Sequence, residues 1–491
     1  MNNLIRIAPL FAAALVTFSA GCSSDNSGSQ KLDDTEWIGA NSIEVNARIR
    51  STITHRASGA YANLATDEEL QTALVNTHVT YATGGLDHRN YYLNQLPDKI
   101  TSMEVTTADG LVTIRYEASI DMVRPGSPNI TSVDDLPVKT VSLKLPLSPV
   151  DVYARGGKNC ASHYGSYTLS EQKYFYYFDP EQPACDIELT EGVVEVVEVY
   201  PNPKVYPEYD RLLNDLGDGQ KGFRAAILPN NGDNDPMSRY DAHRRELNDE
   251  LGVEPVKKDG FERYSWTKNG ATIVVDLFDP TKGWFTTDFH KALGSYQLIF
   301  YNGHSNYGNQ PFLNKPEVYS DAYQIIGMHS CKSYSYYAHQ IATGKATAED
   351  PTGWRNADMV ATGRSSYPGD SPFVLAALLQ GLMKGLGAVV NDEPTKAPSW
   401  QDIGDDMRKV APSILYGVAG ARHNAWTPQI DAPPPPSQSC AHDLCQTGVA
   451  LDPACDPCAA KIADADAYCR DNRWDEYCVE QVTSVCNLTC N

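Results

Sequence analysis

Two residues with side chains suited to nucleophilic catalysis, His304 and Cys331, each follow a short apolar segment. The first segment is Leu-Ile-Phe-Tyr at residues 298–301, and the second is Ile-Ile-Gly-Met at residues 325–328. Apolar runs of this length between polar loops are typical of buried parallel strands. In an open α/β sheet, ligands bind at the carboxyl ends of the strands. We therefore expect an imidazole and a thiol at the edge of the sheet where such folds carry out their chemistry.

A thiol beside an imidazole favours acyl transfer. The thiolate is the nucleophile, and a nearby histidine lowers the pKa of the thiol and later protonates the leaving group. Residues 335–341, just after Cys331, predict a helix. Its N-terminal dipole and backbone N–H groups would stabilise a developing oxyanion. The residue types, the strand ends and the following helix all point to the same reaction.

The twelve cysteines divide into groups that leave Cys331 alone. Cys22 follows an apolar N-terminal segment, and Cys160 and Cys185 lie in one predicted domain, where they can pair. The other eight crowd the last 52 residues: Cys440, Cys445, Cys455, Cys458, Cys469, Cys478, Cys486 and Cys490. Disulfides, rather than a metal, are expected for this tail in an exported chain, although eight cysteines allow 105 pairings. An odd thiol in such a chain is a candidate nucleophile.

The N-terminus predicts export. A short basic region precedes an apolar run at residues 7–18 and the small residues before Cys22. Residues 1–22 resemble a bacterial lipoprotein signal peptide, which implies a lipid on Cys22 and anchoring to the outer membrane, on its periplasmic or cell-surface side. Residues 23–31 read as a flexible tether. The alternative is an ordinary secretory signal that is cut nearby.

Length and charge limit the function further. A chain of 491 residues predicts two or three domains. Its 62 Asp and Glu residues outnumber 40 Lys and Arg residues. An acidic chain argues against nucleic acid as a partner, because nucleic-acid binding needs a basic face.

Residues 32–215 predict an α+β, strand-rich domain without a catalytic motif. Its expected roles are to pack against the next domain, to mask the cleft of that domain or to bind a partner. Asp109-Gly110 predicts a tight hairpin. The expected helices are residues 41–61 and 66–81, and the expected strands are residues 102–107, 111–118, 140–145, 173–178 and 193–200.

Residues 216–430 predict an α/β domain in which strands alternate with helices, so that helices cover both faces of a parallel sheet. A Pro-rich linker at residues 431–439 and a small disulfide-rich module at residues 440–491 follow it. The expected strands are residues 223–228, 271–278, 298–301, 325–328 and 358–362, and the expected helices are residues 238–251, 287–293, 335–341 and 373–386.

The α/β domain resembles the caspase–gingipain–legumain group of cysteine peptidases. That group places a histidine after one apolar strand and a cysteine, usually after Ala or Ser, behind the next; His304 and Ser330-Cys331 fit this pattern. The resemblance implies a caspase-like parallel sheet and peptide hydrolysis without a cofactor or metal. It makes His304 the general base and acid and Cys331 the nucleophile, with the N–H groups of Cys331 and Ser305 binding the oxyanion.

Two features depart from that family. Ser305 stands where the family has a glycine, and His304 and Cys331 are 27 residues apart in sequence, against about 50 in caspases. Arg364 and Ser365 occupy a position that often lines the substrate pocket in this group. Arg364 there would favour an acidic substrate side chain, and a surface arginine is the alternative.

Other chemistries remain open. Ser305 within Gly303–Gly308 invites comparison with a serine nucleophile elbow, but Tyr307 stands where that turn needs a glycine. His304, His329 and Cys331 are all zinc-ligand types. The rival reading of the whole chain is a catalytically inactive, caspase-like protein that binds a partner at the cell surface. The sequence also allows a masked zymogen, because domains flank the candidate site on both sides.

Overall fold

The structure is a computed structural model. It describes residues 37–94, 99–126, 129–162, 174–217, 219–230, 236–283, 285–428, 440–486, 488 and 490. The predicted signal peptide with Cys22, the tether and the Pro-rich linker lie outside these described residues.

The N-terminal domain contains a six-stranded antiparallel sheet that packs against helices. The strands follow the order β2-β4-β1-β6-β5, and β3 pairs with β4. The strands are β1 (Ser42–Arg56), β2 (Tyr92–Leu93), β3 (Lys99–Ala108), β4 (Leu111–Pro125), β5 (Thr140–Pro146) and β6 (Leu189–Val199). The helices are α1 (Glu68–Thr80), α2 (Ala82–Asp87), α3 (Val152–Gly156) and α4 (Tyr174–Tyr177).

The predicted hairpin at Asp109-Gly110 is confirmed, and both of its residues have positive φ angles, 51° and 73°. The helix predicted at residues 41–61 is wrong, because β1 occupies most of that segment. Alternate residues of β1, such as Ile43, Val45 and Ala47, are buried, which is the two-residue period of a strand.

The strand predicted at residues 173–178 is also wrong. The described part of this aromatic segment forms α4. Tyr174 is buried beside the Cys160–Cys185 disulfide, and its hydroxyl donates a hydrogen bond to the carbonyl of Gly157 at 2.6 Å. Local packing has overridden the β propensity of the aromatic residues.

The second domain is built on a mixed sheet whose centre is parallel. The strand order is β15-β14-β13-β12-β8-β11-β10-β9, and β7 pairs with β8. The five strands from β14 to β11 run parallel, whereas β15 pairs with β14, β10 with β11 and β9 with β10 in an antiparallel manner. The strands are β7 (Asn214–Gly217), β8 (Gln220–Pro229), β9 (Val256–Lys258), β10 (Phe261–Lys268), β11 (Ala271–Phe278), β12 (Leu298–Asn302), β13 (Gln324–His329), β14 (Ala357–Thr362) and β15 (Tyr416–Ala419).

Helices cover both faces of this sheet. Buried residues of α5, α6, α9 and α10 pack on one face, and those of α7 and α8 pack on the other. The helix α9 is long and apolar enough to cross a membrane, but most of it is buried in the fold as a core helix. The helices are α5 (Tyr209–Leu212), α6 (Pro236–Leu251), α7 (Phe285–Ser295), α8 (Ser333–Lys345), α9 (Ser371–Val390) and α10 (Trp400–Val410).

The cysteine-rich tail is a small module around Trp474, Ile462 and Val482. Its elements are β16 (Gly448–Val449), α11 (Pro457–Ala465), α12 (Ala467–Asp471), β17 (Arg473–Trp474) and α13 (Glu476–Cys486). Its cysteines form the disulfides Cys440–Cys455, Cys445–Cys490, Cys458–Cys486 and Cys469–Cys478. The predicted disulfides are therefore confirmed, and together with Cys160–Cys185 they favour an extracytoplasmic protein.

The chain just before β1 joins the two larger domains. Ile38 forms an antiparallel bridge with Val418 in the edge strand β15. Trp37 is buried in the core of the second domain, with its ring 4.9 Å from that of Tyr334 on α8. The N-terminal domain is thereby held against the side of the parallel sheet that carries α8.

Candidate active site at the ends of two parallel strands

His304 and Cys331 follow neighbouring parallel strands in the same register. Asn302, the last residue of β12, pairs with His329, the last residue of β13. His304 and Cys331 each come two residues later. The backbone N–H of Gly303 still bonds the carbonyl of His329 at 3.3 Å, so the two chains remain adjacent beyond the strands. The fold therefore brings the two predicted residues to one edge of the sheet.

The loop that carries His304 is held through its backbone. The carbonyl of His304 accepts hydrogen bonds from the Tyr301 hydroxyl at 2.7 Å and from Nε2 of Gln310 at 2.8 Å. A Cβ atom on Gly303 would lie 2.3 Å from the Tyr301 hydroxyl and 2.5 Å from Cβ of Asn230. This position therefore requires glycine, while the imidazole of His304 remains exposed to solvent.

The turn around Cys331 is tied to the next strand, β14. The Ser333 hydroxyl donates to the carbonyl of Met328 at 2.6 Å and accepts from the N–H of Thr362 at 2.9 Å. The Thr362 hydroxyl donates in turn to the carbonyl of Ser330. These bonds fix the path from β13 into α8, and Cys331 lies in that turn with its side chain partly exposed.

The thiol of Cys331 makes its hydrogen bond to the loop after β14. Its acceptor is the carbonyl of Ser366, with the sulfur 3.7 Å from the oxygen. Within the described residues, no hydrogen bond joins this thiol to the imidazole of His304. The structure brings the two residues to neighbouring strand ends without joining their side chains.

The two N–H groups expected to bind an oxyanion are those of Cys331 and Ser305. Among the described residues, neither N–H donates a hydrogen bond. The carbonyl of Ser305 accepts one from the Tyr337 hydroxyl, which orients the peptide, and the Ser305 side chain is buried. The two amides thus have no acceptor among the described residues, whereas the buried Ser305 hydroxyl is poorly placed to be the nucleophile.

His329, the third member of the possible zinc set, is only 2% exposed and both of its ring nitrogens are engaged. Nε2 donates to the carbonyl of Tyr367 at 2.9 Å, and Nδ1 accepts from the Tyr416 hydroxyl at 2.8 Å. Burial lowers the pKa of His329 to about 4, so its ring is neutral at pH 7. In the part of the chain that the structure describes, no cluster of three His, Cys, Asp or Glu residues has metal-site geometry.

Arg364 and Ser365 follow β14, close to the Cys331 turn. The N–H of Lys332 donates to the carbonyl of Arg364 at 3.0 Å, which joins the two loops. The Arg364 guanidinium lies over the ring of Tyr92 from the N-terminal domain, 5.3 Å from its centroid. Ser365 is exposed. The predicted pocket residue Arg364 is thus partly covered by another domain.

Two residues that sequence analysis did not single out belong to this site. The ammonium of Lys332, next to Cys331, lies 2.9 Å from Oδ2 of Asp87 at the end of α2. The two residues are 245 positions apart. No local pattern signals a contact over such a distance, because each residue alone reads as an ordinary surface charge.

Two cavities in the described part of the protein lie away from the thiol. One is lined by Leu228, Phe278 and Phe285 among others, and the second lies beside Trp400; both are small and shallow. Neither is lined by His304 or Cys331.

Comparison with known proteins gives one match. Residues 438–490 match the model of a domain of unknown function, DUF8252. This match covers the disulfide-rich tail. No curated protein and no solved structure matches the chain.

Proposed function

We propose that the protein is a cysteine endopeptidase of the caspase–gingipain–legumain type, which hydrolyses peptide bonds with Cys331 as nucleophile and His304 as general base and acid. The observation that carries the proposal is the shared register of the two residues beyond β12 and β13. A parallel sheet with helices on both faces supports it, because such sheets bind ligands at the carboxyl ends of their strands.

The reaction would proceed in two steps. The Cys331 sulfur attacks the scissile carbonyl after its proton passes to His304, and the resulting oxyanion is bound by the N–H groups of Cys331 and Ser305. His304 then protonates the leaving amine as the C–N bond breaks, which leaves a thioester. Water, deprotonated by His304, hydrolyses the thioester and restores the thiol. The chain needs no cofactor for these steps.

The hydrogen bond from Cys331 to Ser366 must be exchanged for one to His304 during this cycle. Catalytic hydrogen bonds are often long or misdirected before substrate binds and tighten in the substrate complex. The exchange requires side-chain rotation of Cys331, whose thiol is partly exposed.

The proposal is tested by labelling with an acyloxymethyl-ketone peptide probe, which alkylates an active cysteine. We expect the wild type to be labelled and both Cys331→Ala and His304→Ala to lose labelling. His339→Ala serves as the matched control, because His339 is an exposed histidine on α8. Equal labelling of wild type and His304→Ala would contradict the assignment of His304 and Cys331 as a catalytic pair.

The rival function is a cell-surface binding protein whose peptidase-like domain is inactive. Two observations favour it: the thiol bonds to Ser366 and the N-terminal domain contacts Lys332. Limited proteolysis distinguishes a masked peptidase from an inactive binding protein, because removal of a masking domain activates a zymogen but not an inactive relative. Absence of labelling after such cleavage would favour the binding protein.

Export and anchoring complete the proposal. The disulfides support an oxidising compartment, and the resemblance of residues 1–22 to a lipoprotein signal implies a lipid on Cys22. The acyl chains on this cysteine would hold the protein at the outer membrane, and the proposed substrate is a protein or peptide. Cys22→Ser is expected to move the protein from the membrane fraction to the soluble fraction, whereas Ser23→Ala should leave it in place.

A further inference from the structure

The peptide bond between His304 and Ser305 is held from its carbonyl side by two buried side chains. The carbonyl oxygen of His304 accepts one hydrogen bond from the Tyr301 hydroxyl at 2.7 Å and another from Nε2 of Gln310 at 2.8 Å. A carbonyl oxygen has two lone pairs, so both are used. Tyr301 is fully buried and Gln310 is only 4% exposed, so both bonds form away from bulk water, where a hydrogen bond is stronger.

The two donors are themselves fixed by hydrogen bonds. The Tyr301 hydroxyl accepts from Nδ2 of Asn230 at 3.0 Å and from Nε2 of Gln310 at 3.1 Å. Its single proton is therefore directed to the carbonyl of His304, and the two N–H groups of the Gln310 amide are divided between that carbonyl and the hydroxyl. Connected hydrogen bonds of this kind polarise and strengthen one another. The carbonyl of His304 is the common acceptor of this network.

The backbone on both sides of this peptide fits the network. Gly303 leaves room for it, because a Cβ atom there would lie 2.3 Å from the Tyr301 hydroxyl. The next carbonyl, that of Ser305, accepts a hydrogen bond from the Tyr337 hydroxyl. Asn306 then adopts a left-handed backbone with φ 46°, which residues with a Cβ rarely adopt. Such a conformation persists where the surrounding contacts determine it, as these hydroxyl groups do.

The orientation of the carbonyl determines the orientation of the Ser305 N–H. The peptide is trans, so its C=O and N–H groups point in opposite directions. Because the carbonyl of His304 points at the buried Tyr301 and Gln310 side chains, the N–H of Ser305 points away from them. Among the described residues this N–H donates to no acceptor. Two buried side chains thus aim an amide that has no acceptor within the fold.

We propose that Tyr301 and Gln310 are positioning residues of the oxyanion site, which fix the peptide between His304 and Ser305 so that the Ser305 N–H meets the oxygen of the acyl-transfer intermediate. The inference rests on the proposed function, because it assigns the two side chains a role in that reaction. Donors stabilise a developing oxyanion most when they are oriented before the reaction begins. The Ser305 amide lies in a loop, and the two side chains supply the rigidity that a loop lacks.

The test compares two reactions of the Cys331 thiol in the native, mature chain. With p-nitrophenyl acetate, a bond forms between sulfur and the carbonyl carbon, the carbonyl electron pair becomes an oxyanion, and its collapse expels p-nitrophenolate and leaves a thioester. Iodoacetamide alkylates the same sulfur by displacement of iodide, and no oxyanion forms. With Cys331→Ala as the blank, the ratio of the two rate constants reports stabilisation of the oxyanion and is independent of the thiolate fraction.

Tyr301→Phe removes the hydroxyl and keeps the ring. Because loss of an oxyanion donor costs about 100- to 1,000-fold in rate, we expect release of this donor's orientation to slow acetylation at least about tenfold and to leave alkylation within about twofold. The matched control is Tyr319→Phe, which removes a tyrosine hydroxyl that donates to the carbonyl of Leu313 at 3.0 Å. The control should leave the ratio unchanged.

A second variant, Gln310→Met, keeps the length of the side chain without its amide, and it should lower the same ratio independently of how stable Tyr301→Phe is. A ratio that is unchanged in both variants, or an equal loss in both reactions, would overturn the inference and leave the network a structural role. If acetylation depends on Cys331 and His304 while the ratio is unchanged, the inference alone is refuted. Acetylation of native Cys331 no faster than in the unfolded chain would refute the peptidase and the inference together.

Discussion

At the scale of single residues, the site depends on residues that take no part in the proposed chemistry. Gly303 lets the His304 loop pass Tyr301 and Asn230, and Ser333 ties the Cys331 turn to β14. His329 is neither a catalytic nor a metal-binding candidate, because it is buried and hydrogen-bonded through both ring nitrogens. The reactive pair is therefore held by its neighbours' backbone and hydroxyl groups.

Gly303→Ala tests this packing. The new methyl group would lie 2.3 Å from the Tyr301 hydroxyl, so the loop of His304 must shift. We expect a loss of about 1–3 kcal/mol in the free energy of unfolding and at least a tenfold loss of probe labelling. Gly369→Ala is the control, since nothing lies within 4 Å of its added Cβ. Normal labelling of Gly303→Ala would show that the loop is not constrained as described.

At the scale of elements, the sequence predicts the central strands well and the peripheral ones poorly. The apolar runs that became β12, β13 and β14 are continuous because both faces of the sheet are covered, which makes them conspicuous. The strand β10 and the helix α10, by contrast, were not predicted. In β10, which lies next to the edge strand β9, charged residues interrupt the pattern. Trp400 begins α10 after Ser399, whose capping box with Asp402 is a sequence signal for the start of a helix.

The sequence of β1 carries a strand pattern, although a helix was predicted there. Its alternate residues Ile43, Val45, Ala47 and Ile49 are buried, while Arg48 and Arg50 are exposed. The strand is fifteen residues long, which is unusual, and its first four residues are all buried, so the alternation is clear only from Asn46 onward. The partner strands β4 and β6, which are distant in sequence, make such a length stable.

The contact between β14 and α10 predicts a pH effect on stability. Oδ2 of Asp358 accepts hydrogen bonds from Tyr323 at 2.6 Å, Trp400 at 2.6 Å and Asn424 at 2.7 Å. Burial raises the pKa of Asp358 to about 7 from 3.8, with the carboxylate of Glu208 also raising it. The folded state therefore holds a proton that the unfolded state releases between about pH 4 and 7.

Stability from Asp358 is then fully present below about pH 4 and is lost as the pH rises to about 7, with a slope of at most about 1.4 kcal/mol per pH unit. Asp358→Asn should flatten that part of the pH profile. Chemical denaturation from pH 4 to 8 measures the free energy of unfolding of wild type and variant. The control is Asp134→Asn, which removes an exposed aspartate that pairs with Lys139. Parallel profiles for wild type and Asp358→Asn would refute the protonated carboxyl.

At the scale of the whole molecule, the N-terminal domain and the α/β domain form one structural unit. Trp37 and Ile38 insert into the second domain, and Asp87 contacts the turn of Cys331. These contacts join residues that are hundreds of positions apart. Packing against the second domain was one of three roles that the sequence offered for the first, but no pattern in the sequence identifies the residues in contact.

Trp37→Ala tests the union of the two domains. Trp37 is 1% exposed, contacts Tyr334 and donates a hydrogen bond from Nε1 to the Ser42 hydroxyl at 2.9 Å. Truncation of a buried tryptophan costs about 3–5 kcal/mol. We expect denaturant unfolding, followed by near-UV circular dichroism, to pass from one transition to two as the domains uncouple. A single transition at an unchanged midpoint would contradict the coupling.

The most direct test of the central claim is the rate at which iodoacetamide alkylates Cys331 in the native, mature chain at about pH 7, a pH at which an ordinary thiol is mostly protonated. Cys331 is the free cysteine among the described residues, so the site of modification is unambiguous there. If His304 and Cys331 act as a pair, native Cys331 reacts faster than it does in the unfolded chain, and His304→Ala slows the reaction about tenfold while His339→Ala does not. Slow alkylation of the native thiol, unchanged by His304→Ala, would contradict the account.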